Sequence, residues 1–473
     1  MQFKDSSKLL ALLFAGALTF TACGDDDPDD SDDPTPPSVP DKPITPEKPE
    51  QGEALTPTIQ KARLDTIAMD FMKQTPASDF DNMAKLANHI DHVYNEENYN
   101  WSNVESWARG VWNGLKKSLG TTTTEEEKYG TSVYRYVYTN YTTLLMASNF
   151  TGHFTAQNGG WELTKANDLQ FTFTDHNGSP CTLKVETGGN VKKVYVMNID
   201  DWKDYGYDNV DGNYVTTDYY DRVQCTIGVP ERIMVSLTQG GSEVVKVALN
   251  IDLNSIQGDK FDLSKSALTL KGNVTLNNGY TVDLSQVNYT GNQKASASGI
   301  VKKNGNSLAT FAVSGDLSGI PSCNLDAFIQ DEGFGDANTD NMTAKDVFVK
   351  LDVMGKLQIQ GKLTDFRKYA DDSEMADDSD DNEATFKSYI SQANALMDLN
   401  LFYDNKATKQ ANVKLESFRD DDYYGAYWYT EPVLQFFDGS SYSTFDAFFN
   451  DKDFKDVIDA FENLMKDYEN LVK

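Results

Sequence analysis

The chain is short of the residues on which most site chemistry is built. Its 473 residues include only 4 Cys and 4 His, which leaves little for zinc, haem or thiol chemistry. Bases are scarce as well. The 42 Lys and Arg stand against 73 Asp and Glu, a formal charge of -31 at pH 7, with an isoelectric point near 4.4. Nucleic-acid binders need basic stripes that release counterions from phosphates, so that class is excluded. There is no G-x-S-x-G elbow, H-E-x-x-H helix, glycine-rich phosphate loop or C-x-x-C pair. The apolar run Leu9 to Phe20 falls well short of the roughly 20 residues of a membrane-spanning helix. What the chain does hold is 39% hydrophobic residues and 12% aromatics. That is enough to bury a core, and the length suits about two or three average domains.

The N-terminus carries an address. Lys4 and Lys8 precede the Leu9–Phe20 run, the layout of a secretory signal peptide. The run ends in Phe20-Thr21-Ala22-Cys23, which resembles the lipobox of bacterial lipoproteins, with Phe20 where Leu is usual. The resemblance implies a signal peptide over 1–22 and acylation of Cys23. Several acyl chains at about 0.8 kcal/mol per buried CH₂ would make that anchor effectively permanent. Residues 24–50 hold eight Asp, two Glu, two Lys and eight Pro. Such a segment cannot bury a core and stays extended, so residues 23–54 read as a lipidated stalk. Gly24-Asp25-Asp26-Asp27 resembles the acidic export signal of surface lipoproteins in Bacteroidetes-type bacteria. That implies an outer-membrane location facing the cell exterior, against the alternative of a plain solvated linker on a periplasm-facing anchor.

Residues 55–148 read as a helical region. Thr56-Pro57 is an N-cap followed by proline at the first helical position. Ser78 opens a helix with Met83, Leu86, Ile90 and Val93 on one face. Ser102 and Glu105 have capping-box spacing, ahead of Val104, Trp107, Val111, Trp112 and Leu115, with Gly120 closing the helix. Thr124 and Glu127 begin a further helical segment through Val133, Val137, Tyr141 and Leu144. From about residue 149 to 473 the period changes to two. Ile233–Leu237 and Val245–Leu253 alternate about Gly240-Gly241. Leu268–Leu276 and Tyr280–Leu284 do so about Asn278-Gly279, and Asn304-Gly305 marks another turn. Val347 to Leu363 is apolar or glycine at every odd position, with Gly355 bending or turning it. The eight acids of 371–383 predict an exposed, mobile connection without the spacing of an EF-hand. Phe386, Tyr389, Ile390, Ala393 and Met397 share a helical face, as do Phe454, Val457, Ile458, Phe461, Leu464, Met465 and Tyr468. Both stripes are expected to cover the sheet's dry face. The fold class is α+β: N-terminal helices, a large curved antiparallel meander, and helices packed on one face, the whole folded region forming one compact unit.

This layout, with Glu431-Pro432-Val433 through Phe437-Asp438-Gly439-Ser440-Ser441-Tyr442 before a Phe-rich helix, is similar to Bacteroidetes surface lipoproteins of uncharacterised domain families. That resemblance brings no chemistry. Half-barrel lipid carriers have a comparable shape, which is analogy only.

Chemistry is thin. His89 and His92, near Asp91, lean toward the solvated side of their helix. His153 and His176 have no neighbouring ligand pattern. Cys181 and Cys225 are able to pair, although small buried thiols are the default, and Cys323 completes an odd set once Cys23 is acylated. Two aromatic clusters stand out: Trp202, Tyr205, Tyr207, Tyr214, Tyr219 and Tyr220, and then Tyr423, Tyr424, Tyr427, Trp428 and Tyr429, each beside carboxylates. Rings stack on pyranose CH groups while acids accept hydroxyl hydrogen bonds. The candidate ligand-binding residues are therefore Tyr424, Tyr427, Trp428, Trp202 and Tyr205, weighed against plain cover for the sheet rim. No catalytic residue, metal or cofactor is assigned. The expected function is extracellular ligand binding without catalysis, glycan first. The alternative is a carrier of lipid or another apolar ligand, and a hydrolase stands third. The membrane is reached through the lipid anchor.

Overall fold

A computed structural model describes residues 54–471 except 117–119, 130–131, 147–148, 211–212, 254–255, 257–261, 263, 292–293, 318–343, 423–424, 441–442, 445–447 and 449–453. Cys23, the signal segment, the stalk, Cys323 and Tyr424 lie outside the described residues.

Three helices open the described region. In α1 (Pro57–Gln74) the expected cap forms, with the Thr56 side chain accepting from the Ile59 N–H and proline at the start. Helix α2 (Asp81–Val93) is entered through a 3₁₀ turn at Ala77–Phe80 rather than directly from Ser78. Met83 and Leu86 are buried and Ile90 packs against the same core, but Val93 is 38% exposed. The Ser102–Glu105 box is replaced in α3 (Ser102–Lys116). There Asn100 Oδ1 accepts from both the Ser102 N–H at 2.9 Å and its hydroxyl at 2.6 Å, while Glu105 pairs with Arg109 at 3.6 Å. Gly120 does not close α3; it begins a strand.

The fourth expected helix is a hairpin, β1 (Gly120–Tyr129) and β2 (Ser132–Met146). Val133, Val137 and Tyr141 lie four apart, and a spacing of four keeps one face on a strand as well as on a helix. The Thr run and the alternation of Val and Tyr then decide for strand, where branched and aromatic side chains fit best.

The remaining strands are β3 (Gly152–Gln157), β4 (Gly160–Thr164), β5 (Leu169–Thr174), β6 (Pro180–Val210), β7 (Asn213–Gln239), β8 (Ser242–Asp252), β9 (Ala267–Leu276), β10 (Tyr280–Thr290), β11 (Lys294–Lys303), β12 (Asn306–Asp316), β13 (Lys345–Val353) and β14 (Leu357–Asp365). Two helices, α4 (Phe366–Asp377) and α5 (Glu383–Leu396), precede β15 (Met397–Tyr403), β16 (Ala411–Asp422), β17 (Gly425–Phe436) and β18 (Ser443–Thr444), and α6 (Lys455–Leu471) follows. From β5 to β18 each strand pairs antiparallel with the next. β3 pairs with β4 and runs parallel to β5, and β2 runs parallel to the first half of β7. The result is an α+β fold on one large curved sheet, antiparallel apart from those two parallel contacts.

The expected tight turns are present. Gly240-Gly241 have φ of +57° and +83°, and Asn304-Gly305 of +50° and +83°, the paired left-handed residues that match the right-handed twist of a hairpin. At Gly355 the long alternating run turns, with β13 and β14 pairing Val353 to Leu357.

Register turns the alternation into a continuous dry face. Leu249, Gly272, Leu284, Gly299, Phe311, Leu351, Ile359 and Leu401 oppose one another in sequence across β8 to β15. The helices cover this face unevenly. Phe80, Met83, Leu86 and Val104 from the N-terminal segment pack with Phe154, Trp161, Phe173, Leu237, Val245 and Leu276. Ile67 of α1 packs with Leu401, Tyr403, Leu434 and Phe436. Phe386 and Ile390 of α5 cover Leu415 and Trp428.

Two expectations are corrected here. The acidic block 371–383 is exposed at most of its acids, as expected, but it is not an irregular connection: α4 takes in 371–377 and α5 begins at Glu383. Asp372 is buried, and its charge is met by Lys368 at 2.7 Å, one helical turn away. Helix α6 does not lie on the sheet. Phe454 and Ile458 reach the core around Phe436, but beyond them the helix meets α1, the 3₁₀ turn and α2, and Phe461 is 47% exposed. The space over those strands is already filled by α1. Among the described residues no helix is long and apolar enough to cross a membrane.

Candidate functional site

The second aromatic cluster does not form one platform. Tyr427 and Trp428 are adjacent on β17, so alternation sends them to opposite faces. Tyr427 and Tyr429 lie with Phe418 and Asp420, their register partners on β16. The Phe418 and Tyr429 rings are 5.9 Å apart and those of Tyr427 and Tyr429 6.2 Å. Desolvation, and then Glu431 and Asp420, push the Tyr429 phenol up. Trp428 turns the other way, under α5. Its ring is 6.5 Å from Phe386 and Lys387 Nζ sits 4.2 Å from its centroid, while the Trp428 backbone N–H donates to the Asp380 carbonyl at 2.8 Å. One face of this indole is occupied by a cation, and the contacts are those of a packing residue. Tyr423 and Tyr424 lie outside the described residues.

The first cluster is gathered by the strands. β6 and β7 run past the main sheet as a long hairpin, and β2 and β1 join it, giving a four-stranded arm in the order β1, β2, β7, β6. Three rows cross it on one face. Glu127, Tyr134, Asp218 and Tyr205 form one, then Glu125, Tyr136, Tyr220 and Trp202, then Thr123, Tyr138, Arg222 and Asp200. Tyr207 and Tyr214 stand at positions of the same face, and Tyr219 on the opposite one. Neighbouring strands lie about 4.8 Å apart and same-face residues of one strand about 6.8 Å. Tyr136, Tyr220 and Trp202 therefore span roughly 10 Å across the arm. The Tyr136 and Tyr138 rings are 6.4 Å apart. Counting by twos along β7, Asp218 and Tyr220 fall on the side of Met234 and Ser236, the wet side of the main sheet, opposite Leu237.

A register shift between Trp202 and Asp204 puts Trp202 and Tyr205 at same-face positions of β6; in an unbroken strand, positions three apart alternate to opposite faces. Sequence reasoning missed Tyr134, Tyr136 and Tyr138 because a helix scatters residues two apart. Their Tyr-x-Tyr-x-Tyr spacing was the available signal. On the opposite face Arg135 Nε meets Glu126 at 2.7 Å, which ties β1 to β2.

The other candidates resolve individually. Asp168 reaches His153 Nε2 at 2.6 Å and Lys184 Nζ at 3.4 Å, a partner the sequence did not reveal. The hydrogen bond from His153 is the main cause holding the Asp168 carboxyl below its usual range. Cys181 is buried and free, and burial pushes its thiol up to about 11. Pairing with Cys225 is excluded by register. Cys181 opposes Gln239 whereas Cys225 opposes Val196, roughly 50 Å along β6 at about 3.3 Å per residue. Among the described residues no three of His, Cys, Asp and Glu are grouped as metal ligands.

His89 is not on a solvated face. Its ring is 5.8 Å from Tyr94 and 6.4 Å from His176, and its Nε2 is buried without a partner. Burial, then His176, lowers its pKa from 6.5, against the opposing pull of the Thr174 carbonyl and Asp175. The unfolded chain therefore binds the proton more readily than the folded one. The resulting stability is present above about pH 6.5 and is lost as pH falls through that value toward the lowered one. Urea midpoints measured from pH 8 to 5.5 should fall, and His89→Gln should flatten that part of the curve. An unchanged slope would place the titrating group elsewhere.

Compared with protein-family models, curated proteins and solved structures, the chain matches none.

Proposed function

We propose that this chain is a lipid-anchored outer-membrane protein, displayed on the cell surface, that holds an extended polysaccharide on the aromatic face of its arm without catalysing a reaction. The observation that carries the reading is the register that lines up Tyr136, Tyr220 and Trp202 across three strands, with Tyr134 and Tyr205 one row away. A row of aromatic positions across neighbouring strands suits a chain of sugars better than a single one. Each stacked ring contributes on the order of 1 kcal/mol beyond its buried area, so useful affinity needs several sugars at once. Glu125, Glu127, Asp218 and Asp200 stand at neighbouring register positions in these rows, and carboxylates are acceptors for sugar hydroxyl groups. The anchor rests on the Cys23 lipobox and the display on the Asp25–Asp27 stalk.

A second reading, carriage of a lipid or other apolar ligand, is favoured by one observation. On the dry face of the main sheet Val349 and Leu351 are each 40% exposed, beyond the cover given by the helices.

Retention on a panel of insoluble polysaccharides tests the first reading. The full chain should be retained on at least one, and Trp202→Ala/Tyr220→Ala should cut retention at least tenfold with an unchanged urea midpoint. A double variant that binds as well as the parent would remove the arm from consideration. Wild type that binds nothing on the panel but yields co-purified lipid in mass spectrometry would leave the carrier reading in its place. Labelled palmitate should incorporate into the parent and not into Cys23→Ala.

A further inference from the structure

The arm has two outer strands, and their edges are built differently. On one side, among the described residues, β6 pairs with β5 only as far as Val185 and with β7 alone beyond it. That edge is broken by register shifts at Gly188–Val191, Met197–Asp200 and Trp202–Asp204, and it carries Lys192, Lys193 and Lys203. Bulges and lysines are devices by which an edge strand refuses a partner. On the other side β1 pairs with β2 alone among the described residues, in an unbroken register from Gly120–Tyr141 to Tyr129–Ser132. It has no proline, and Lys128 stands next to its last residue. Thr121 to Glu126 are exposed. Alternate residues of such a strand direct a backbone N–H and C=O away from the neighbour they already have, where a further strand can meet them.

The composition of β1 selects that strand. Thr121 to Thr124 are neutral and Glu125 to Glu127 acidic, so a second β1 laid antiparallel brings threonines to the glutamates. Residues opposite one another in a strand pair share a face. Two copies about a two-fold axis therefore match odd positions with odd and even with even. Centred on Thr124, residues 120–128 of the two strands pair, with Thr123 opposite Glu125, Thr122 opposite Glu126 and Thr121 opposite Glu127. No glutamate then stands directly across from another. Centred on Glu125 or Glu126, like charges oppose one another at the axis, which is destabilising. Centred on Thr123, the charges also avoid each other, but the paired stretch is shorter. Pairing β1 of one copy with β6 of the next would set a straight edge against a bulged one and would repeat without closing.

We infer that the outer edge of β1 is a homodimer interface, at which two copies pair β1 to β1 antiparallel about a two-fold axis at Thr124. The interface uses a strand edge and none of the rings, so it is independent of the polysaccharide reading. Its axis is normal to the sheet and keeps each face on its own side. The two arms join into one continuous sheet, with the rows of Tyr136, Tyr220 and Trp202 from both copies on the same side.

The full chain with Cys23→Ala serves as the parent, so that an acyl anchor cannot draw copies together. Sedimentation velocity of this parent should show a monomer–dimer equilibrium that moves to dimer with concentration. Thr122→Glu sets a carboxylate against the second copy's Glu126, on both sides of the axis, and Thr122→Lys sets an ammonium there. The first should raise the dimer dissociation constant about tenfold and the second lower it by a similar factor, because opposed charges across a strand pair act in either sense. Thr122 is exposed, so neither variant threatens the fold. Oxidised glutathione should convert Thr124→Cys to a covalent dimer, because its two thiols meet at the axis. Thr122→Cys is the control. Its two copies stand offset along the strands by roughly 14 Å, beyond the limit of about 7 Å between Cα atoms that a disulfide bridges. A parent that stays monomeric at every concentration would overturn the inference. So would a dimer that responds alike to Thr122→Glu and Thr122→Lys, or one in which Thr124→Cys crosslinks no better than Thr122→Cys, since its interface would lie elsewhere.

Discussion

Phe154→Ala should destabilise the protein by about 3–5 kcal/mol, the range for removing a large ring from a closed core. Phe154 is fully buried on β3. Its ring stacks on Phe171 of β5 at 4.8 Å and 12°, and meets the edge of Trp107 of α3 at 5.0 Å. Trp107 in turn donates its Nε1–H to the Thr151 carbonyl at 2.9 Å. One side chain thus joins the α3 helix to the strands beneath it. Truncation loses the transfer free energy of the ring and leaves a cavity that the surrounding aromatic residues cannot collapse into without leaving their edge contacts. Equilibrium urea unfolding followed by tryptophan fluorescence is the measurement, because Trp107 and Trp161 report on this core directly. A loss below about 1 kcal/mol would mean that α3 does not dock on β3 and β5.

How much of this was legible in the sequence depended on whether a pattern had one physical reading. The hairpins around Gly240-Gly241 and Asn304-Gly305 did, because alternation and a left-handed turn pair point to the same answer. The 120–146 segment did not. Residues four apart satisfy both periods, and the choice fell to Thr and Tyr propensities that the helical spacing masked. The acidic block was misread only in part, since most of its acids are exposed. Its charges suggested solvent, yet Asp372 is neutralised one turn away by Lys368, and a paired carboxylate can be buried where a lone one cannot. Gly361 sits unremarked in the odd-numbered apolar row of β14. A Cβ there would collide with the Asp398 carbonyl oxygen of β15, a strand approach that no local pattern announces. The candidate site was the least legible part. Trp202 and Tyr205 are three apart, and only the bulge places them together. Tyr220 and Tyr136 reach the same row through a parallel pairing between segments far apart in the chain, and single-sequence periodicity carries no trace of such a pairing.

The sharpest separation of the two aromatic clusters comes from Trp428→Ala, which should cost roughly 2–3 kcal/mol, somewhat below the range for a fully enclosed ring, and leave polysaccharide retention intact. Trp428 is half-buried beneath α5, against Phe386 and under Lys387. Truncation removes the contact through which β17 holds the α4–α5 pair, along with the cation–π attraction to Lys387, worth about 0.5–1 kcal/mol at such a partly wet site. The backbone bond from its N–H to Asp380 survives, since alanine keeps that donor, so the helical pair should loosen rather than detach. Trp202→Ala should behave in the opposite sense, with little change in the urea midpoint and a large loss of retention. The pair of variants therefore forms a double dissociation in which each residue moves one measurement and spares the other. If Trp428→Ala instead abolished retention at an unchanged midpoint, the Trp428 face of the β16–β17 hairpin, beneath α5, would be the sugar platform. The row on the arm would then be a packing surface, and the lysine over the Trp428 ring would have to swing aside to admit ligand.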